Sequence, residues 1–231
     1  MTSSLPLASP HDAPDFYRTA LDQGRHRAIV GGRWEETGRL QMEALLAEGL
    51  RPSDRLLDIG AGALRLGCVA VPWLSPGRYW ATDRSRALML RGREAELPDP
   101  ARLSPEHLVE DAGFAFDGVP DDIDMAIAFA VFTHLPEEAL ATALMRVGQR
   151  FDRLRALLLT VFLVPDGVTG PWRQADGVVT HPDRPPRHIT LARLETLARK
   201  AGMAVERRAT MLPRGQVLFV ARRIGEAASA P

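Results

Sequence analysis

Residues 55–62 narrow the possible folds more than any other stretch: the short, mostly apolar run Arg55-Leu56-Leu57-Asp58-Ile59 stops at Gly60-Ala61-Gly62 and a helical pattern follows. A strand that ends near an acid and turns through glycines into a helix is the opening unit of a parallel α/β sheet. Glycine there permits the tight turn and lets backbone approach a ligand closely. The rest of the chain keeps the same rhythm. Further β-rich runs fall at residues 78–82, 107–110, 123–129 and 156–163, and helices are predicted over 85–97, 136–147 and 190–201. The run at 156–163 is apolar nearly throughout, as a strand covered on both faces requires. Pro136 suits a first helical position, Thr190 an N-cap, and Gly202 a C-terminal stop. The last two runs, 204–208 and 216–221, are joined by Met211-Leu212-Pro213-Arg214-Gly215. That loop is too short for a parallel crossover, so the final strand is expected to be antiparallel to its neighbour.

Composition removes several chemistries. Of 29 basic residues only Lys200 is lysine, and it lies at the end of a helical pattern, so neither a phosphate loop built around lysine nor a Schiff-base site is expected. Cys68 is the single cysteine, which excludes an internal disulfide and a multi-cysteine metal site and fits a reducing compartment, the cytoplasm. The 29 acidic residues balance the basic ones, and a net charge of zero argues against binding by neutralisation of many phosphates. No apolar run approaches the ~18 residues of a membrane span. No carboxylate or histidine pattern has metal-ligand spacing, and no metal is expected.

The glycine turn departs from the dinucleotide fingerprint G-x-G-x-x-G, because Leu64 and Arg65 follow and the next glycine is Gly67. Asp58 points the same way: a carboxylate there repels phosphate but suits a cationic ligand such as an ammonium or sulfonium. Asp83 ends the second strand about 20 residues beyond the turn, where a carboxylate can accept both ribose hydroxyls. Together these describe a site for a nucleoside without phosphate.

On these residues the chain resembles the class I S-adenosylmethionine-dependent methyltransferases, and in particular small bacterial members with a tryptophan-containing lead. The segments that carry the resemblance are Gly31-Gly32-Arg33-Trp34-Glu35-Glu36-Thr37-Gly38-Arg39-Leu40-Gln41, Leu57 to Gly62, Thr82-Asp83, Phe129-Ala130-Val131-Phe132-Thr133-His134-Leu135, and Pro213-Arg214-Gly215-Gln216. It covers roughly residues 15–223. Ala61 stands where the family often has cysteine. The resemblance implies a Rossmann-like, doubly wound α/β sheet of seven strands, the last antiparallel, with helices on both faces. It also implies S-adenosyl-L-methionine as cofactor. Gly60, Ala61 and Gly62 would line its methionine part, Asp58 its amino group, Asp83 with neighbouring Arg84 the ribose, Asp111 the adenine edge, and Phe129 its underside.

His134 follows the fourth strand at the carboxyl edge of the sheet, where an imidazole can take a proton from an acceptor, or simply fix the loop before Pro136. His188, at the entry to the last long helix, is a second catalytic candidate or a capping residue. Trp34 can close the site or staple the lead to the core, and Arg65 can pair with a carboxylate of cofactor or substrate.

The segment after strand four lacks the Pro-Pro-aromatic motif of amino-group methylation on nucleic acid, so nucleic acid is not an expected partner. A small molecule or saccharide is the expected acceptor, through a hydroxyl. Residues 164–187, rich in Pro, Gly and Arg, are long for a connection, as segments that cover binding sites often are. The expected organisation is a disordered lead at 1–14, a helical lead or lid at 15–54, the methyltransferase domain at 55–223 and a tail at 224–231. Two other classes stay open: a nucleotide-binding oxidoreductase using NAD, and a regulatory protein that binds the cofactor without catalysis.

Overall fold

The computed structural model describes residues 15–225; the expected disordered lead, and the tail beyond 225, lie outside the described residues. Five short strands run parallel: β1 (Leu56–Ile59), β2 (Tyr79–Asp83), β3 (Leu108–Glu110), β4 (Met125–Ala128) and β5 (Ala156–Val164). After three short strands and a helix the chain returns as β9 (Met203–Met211) and β10 (Val217–Arg223). β10 is inserted between β5 and β9, antiparallel to both. The sheet order is β3-β2-β1-β4-β5-β10-β9, the doubly wound arrangement with an antiparallel last strand that the loop length at 211–216 requires.

Alternation of side chains along the strands gives the sheet two apolar faces. Leu57, Ala126 and Leu159 pack on one face with Leu144 and Val147 of α5 (Glu137–Arg150) and Leu194 and Leu197 of α6 (Leu191–Lys200). Leu56, Ile127 and Leu158 pack on the other, against Leu45 of α2 (Trp34–Ala47), Val71 of α3 (Gly67–Trp73) and Met89 of α4 (Arg86–Glu96). α1 (Phe16–Asp22) precedes them. Ser85 caps α4 by accepting from the Leu88 amide, and Thr190 caps α6 by accepting from that of Arg193. Pro136 is the N-cap of α5 rather than its first helical residue: its ψ of 159° is extended, and the helix starts at Glu137.

The connection at 164–187 is more structured than a loop. It contains a hairpin of β6 (Trp172–Arg173) and β7 (Val179–Thr180) and leads into β8 (His188–Thr190), which pairs with β5 at Phe162–Val164, beyond the register that β4 and β10 occupy. β8 is therefore an eighth strand in a sheet expected to have seven. Its three residues are too few for an alternation to show in the sequence.

Candidate active site

β1 lies between β2 and β4, so the chain leaves it in one direction for β2 and β3 and then crosses to the other side for β4 and β5. Ligands of open α/β sheets bind at such a switch point, outside the carboxyl ends of the strands. A cavity of about 870 Å³ lies there. Asp58, Gly60, Ala61 and Gly62 line it from β1 and its turn, Asp83 and Arg84 from the end of β2, Asp111 from β3, and Phe129 and His134 from the segment after β4. His188 is absent from the wall. It sits on β8 opposite Phe162, with Nδ1 2.8 Å from Thr180 Oγ1, and burial lowers its pKa.

The glycine turn is bound to β2 by backbone and side chain. The amides of Gly60 and Ala61 both donate to the Thr82 carbonyl, at 2.7 and 3.0 Å, and the Gly62 amide donates to Asp83 Oδ2 at 2.9 Å. Gly60 and Gly62 have φ of +70° and +56°, and a Cβ on them would stand 2.5 Å from Val131 Cγ2 and 2.7 Å from Val30 Cγ1. Both positions therefore need glycine for conformation and for space. The other oxygen of Asp83 accepts from the Ser85 amide at 2.9 Å, and burial raises the pKa of this carboxyl.

Asp58 is buried, accepts a 2.6 Å hydrogen bond from the Tyr79 hydroxyl, and is pushed up to about 7. Burial is the main cause and Asp83 adds to it, against the Tyr79 bond and Arg65, which lower it. A buried carboxyl poised near neutrality on a cavity wall favours a cationic ligand, which would restore its charge.

Asp111 lines the cavity but also organises its own loop. Oδ1 accepts from the amides of Gly113 and Ala115, and Oδ2 accepts from that of Phe116 at 2.8 Å. Phe114 and Phe116, with φ of 59° and 58°, are thereby held in the left-handed region.

After Phe129, Ala130 also takes a positive φ, 59°, where a β-carbon is strained. Its amide donates to Thr160 Oγ1 at 2.8 Å, and that hydroxyl donates to Gln216 Oε1 at 2.7 Å. Thus β5 and the turn before β10 support the segment that carries His134. His134 is exposed, and its amide donates to the Val131 carbonyl at 3.1 Å. The 164–187 segment contributes nothing to the wall; its Asp176 and Gln174 pack instead against Gly215.

Several wall residues carry no role in the sequence reading. Thr37 and Gln41 are buried polar residues one turn apart on α2, and their i,i+4 spacing on an otherwise apolar helix face is the signal that could have found them. Val30 and Gly31 come from a turn before α2, and Arg214 and Gln216 from the turn before β10. Arg65 donates to the carbonyls of Val30 and Gly32 at 3.1 and 2.9 Å, so it anchors the lead segment over the glycine turn. Trp34 packs on Ala63 and Leu88 under the Arg27 guanidinium and staples the lead to the core. Among the described residues, no group of three or more His, Cys, Asp or Glu is placed to hold a metal ion, and no helix is long and apolar enough to cross a membrane.

The architecture is that of the class I S-adenosylmethionine-dependent methyltransferases. Magnesium protoporphyrin IX methyltransferase from Synechocystis PCC 6803, solved with SAM bound, superposes with a TM-score of 0.60 at 14% identity over 97% of this chain and 100% of that one. The 1,6-didemethyltoxoflavin-N1-methyltransferase of Burkholderia thailandensis, solved with 1,6-didemethyltoxoflavin and S-adenosylhomocysteine, gives 0.59 at 20% identity, covering 96% and 93%. A S-adenosylmethionine-dependent methyltransferase from Clostridium acetobutylicum gives 0.60 at 10% identity, covering 90% and 99%. No family model matches the chain, and no curated protein matches it.

Proposed function

We propose that the protein is an S-adenosyl-L-methionine-dependent methyltransferase that methylates a small-molecule or saccharide acceptor, at a hydroxyl. The observation that carries this reading is the pair of acids, buried Asp58 and half-buried Asp83, flanking the glycine turn on one cavity wall at the switch point. The three solved structures named above belong to methyltransferases, two of them holding SAM or S-adenosylhomocysteine.

In this reading Asp83 holds the ribose, Asp58 faces the amino group, Gly60, Ala61 and Gly62 leave room for the methionine part, and Arg84 borders the site. Asp111 shapes the loop whose Ala112 and Phe114 border the adenine, and Phe129 closes the underside. When bound, the cofactor supplies an already activated methyl group. The chain's own tasks are then to align an acceptor, exclude water and remove one proton. His134 is the group on the wall suited to accept that proton. His188 is left out because it lies off the wall. The cavity is within the usual size range of small-ligand sites, which supports a compact acceptor.

The test is a parallel titration with S-adenosylhomocysteine and NAD. Saturable binding of the first and none of the second is expected, and Asp83→Ala should abolish it. Binding of NAD alone, or undiminished affinity in the variant, overturns the reading. Cofactor binding with no methyl transfer to any metabolite or glycan of the source organism would favour a regulatory protein.

A further inference from the structure

The amino ends of four neighbouring strands, at the end of the sheet opposite the active-site cavity, carry a row of charged residues. Arg78, Arg55, Asp124 and Arg155 stand immediately before β2, β1, β4 and β5. The main chain extends the parallel ladder through them: the Leu56 amide donates to the Arg78 carbonyl, that of Asp124 to Arg55 and that of Arg155 to Asp124, each at 2.9 Å. Alternation then sends all four side chains to one face, that of Trp80, Leu57, Ala126 and Leu157, each two residues further on. They line a cavity of about 640 Å³, to which the adjoining loops add Arg51, Asp54, Asp122 and Arg153.

The wall thus holds five arginines against three aspartates, and the aspartates are committed. Asp122 pairs with Arg55, and Asp54 pairs with Arg155 while accepting from the Arg51 amide at 2.7 Å. Asp124 accepts from the Arg55 amide at 2.8 Å and lies 3.5 Å from Arg153 Nη2. Arg78 is left over. Half-buried, its guanidinium has neither a carboxylate nor a carbonyl partner among the described residues. Other half-buried arginines that lack a carboxylate direct their donors to main-chain carbonyls: Arg86 to Leu108 and Pro105, Arg93 to Leu103, Arg102 to Leu74. Arg55, one strand away, feels the excess charge. Burial and then Arg78 lower its pKa, Asp124 opposes them, and its Nε is buried without a hydrogen bond. Two guanidiniums held on adjacent strands repel each other, and the paired backbone keeps them from separating. A multiply charged anion turns that repulsion into binding, because each planar fork offers paired N–H donors to the oxygens of a phosphoryl group.

We propose that this cavity is a second ligand site, for a small phosphorylated molecule with at least two negative charges, in which Arg78 and Arg51 hold the phosphoryl oxygens beside Arg55. These cations belong to the segments that precede β1 and β2. The anion therefore bridges the ends of two strands whose other ends carry the glycine turn and Asp83. The volume is that of a small-ligand site. A surplus limited to one cavity, on a chain of zero net charge, does not suit the many phosphates of a nucleic acid.

Inorganic pyrophosphate is the probe, titrated calorimetrically at an ionic strength held constant with sodium chloride. Wild type should bind it saturably, and Arg78→Gln should weaken binding roughly 10- to 100-fold, the effect of losing a charge-assisted hydrogen bond. Arg51→Gln, at an exposed position where folding is not at stake, should weaken it as well. Arg214→Gln removes the same charge from the other cavity and should bind as wild type does. Arg78 has no partner to lose, so without pyrophosphate its variant should melt within about 2 °C of wild type. Pyrophosphate should raise the melting temperature of wild type more than that of the variant. No saturable binding by wild type, undiminished affinity in both Arg78→Gln and Arg51→Gln, or an equal loss in Arg214→Gln overturns the proposal.

Discussion

The Tyr79 hydroxyl donates a 2.6 Å hydrogen bond to Oδ2 of Asp58, joining β2 to β1 at the wall of the cavity. The bond favours the ionised carboxylate, yet burial outweighs it and the pKa stands at about 7. Between the ordinary aspartate value and about 7, the folded protein holds a proton at Asp58 that the unfolded chain has lost. Asp58 therefore lowers the stability of the unliganded protein progressively as pH rises through that window. A cationic ligand binds the ionised form, so cofactor affinity should rise about tenfold per pH unit on the acid side and level off above about 7. Calorimetric titration of S-adenosylhomocysteine from pH 5.5 to 8.5 checks this. Asp58→Asn should bind more weakly and flatten the profile, and a profile unchanged in the variant would remove Asp58 from the ammonium position.

Gly92 of α4 is a packing requirement that no turn or positive φ announces. A Cβ there would stand 2.1 Å from the carbonyl oxygen of Ala63, which is backbone just after the glycine turn and cannot swing aside. Gly92→Ala must push α4 off the loop, at a cost of about 3 kcal/mol by the usual scale of overpacking. Chemical denaturation should report that loss. Because the displaced backbone adjoins Gly62, S-adenosylhomocysteine affinity should fall as well.

The strands, the glycine turn and the acids at the ends of β1 and β2 were legible because each rests on a local rule: an apolar run, a turn residue, a fixed spacing. Asp58, Asp83, Phe129 and His134 accordingly reach one cavity. Asp111 also reaches it, but its local sequence does not reveal that three amides of its own loop occupy the carboxylate. His188 has the composition of a site residue and the position of a strand residue. The tie between Arg65 and the lead spans 33 residues, and that between Arg214 and Gly31 spans 183; contacts at such separations have no periodicity to expose them.

Glu48, at the end of α2, accepts from Arg208 Nε at 2.5 Å and from Arg222 Nη2 at 2.7 Å, tying the lead helix to β9 and β10. The Arg208 hydrogen bond, then that of Arg222, outweighs burial and holds the carboxyl below its ordinary value. A depressed folded pKa contributes stability that is fully present above the unfolded value and is lost as pH falls through the folded one. Glu48→Gln should therefore cost about 2 kcal/mol at pH 7, the scale of a hydrogen bond to a charged group. The gap between variant and wild type should narrow below about pH 4 in thermal unfolding. A gap independent of pH would make the contact steric rather than ionic.

Thr160 and His134 separate support of the acceptor side from chemistry on it. The Thr160 hydroxyl holds the strained Ala130 amide on one side and Gln216 on the other, so Thr160→Val keeps the shape and leaves both partners unsatisfied. Such a loss costs roughly 1–3 kcal/mol and should loosen the segment that presents His134. His134→Ala removes the proposed proton acceptor without touching the glycine turn. S-adenosylhomocysteine affinity should stay near wild type in it, while turnover of an identified acceptor drops by about 10²–10⁴-fold. In Thr160→Val turnover should fall by less, with a lower melting temperature and a raised acceptor KM. Should both variants lose melting temperature alike, with turnover unchanged once corrected for folded protein, His134 would be a loop-fixing residue and the proton acceptor would have to be sought elsewhere on the wall.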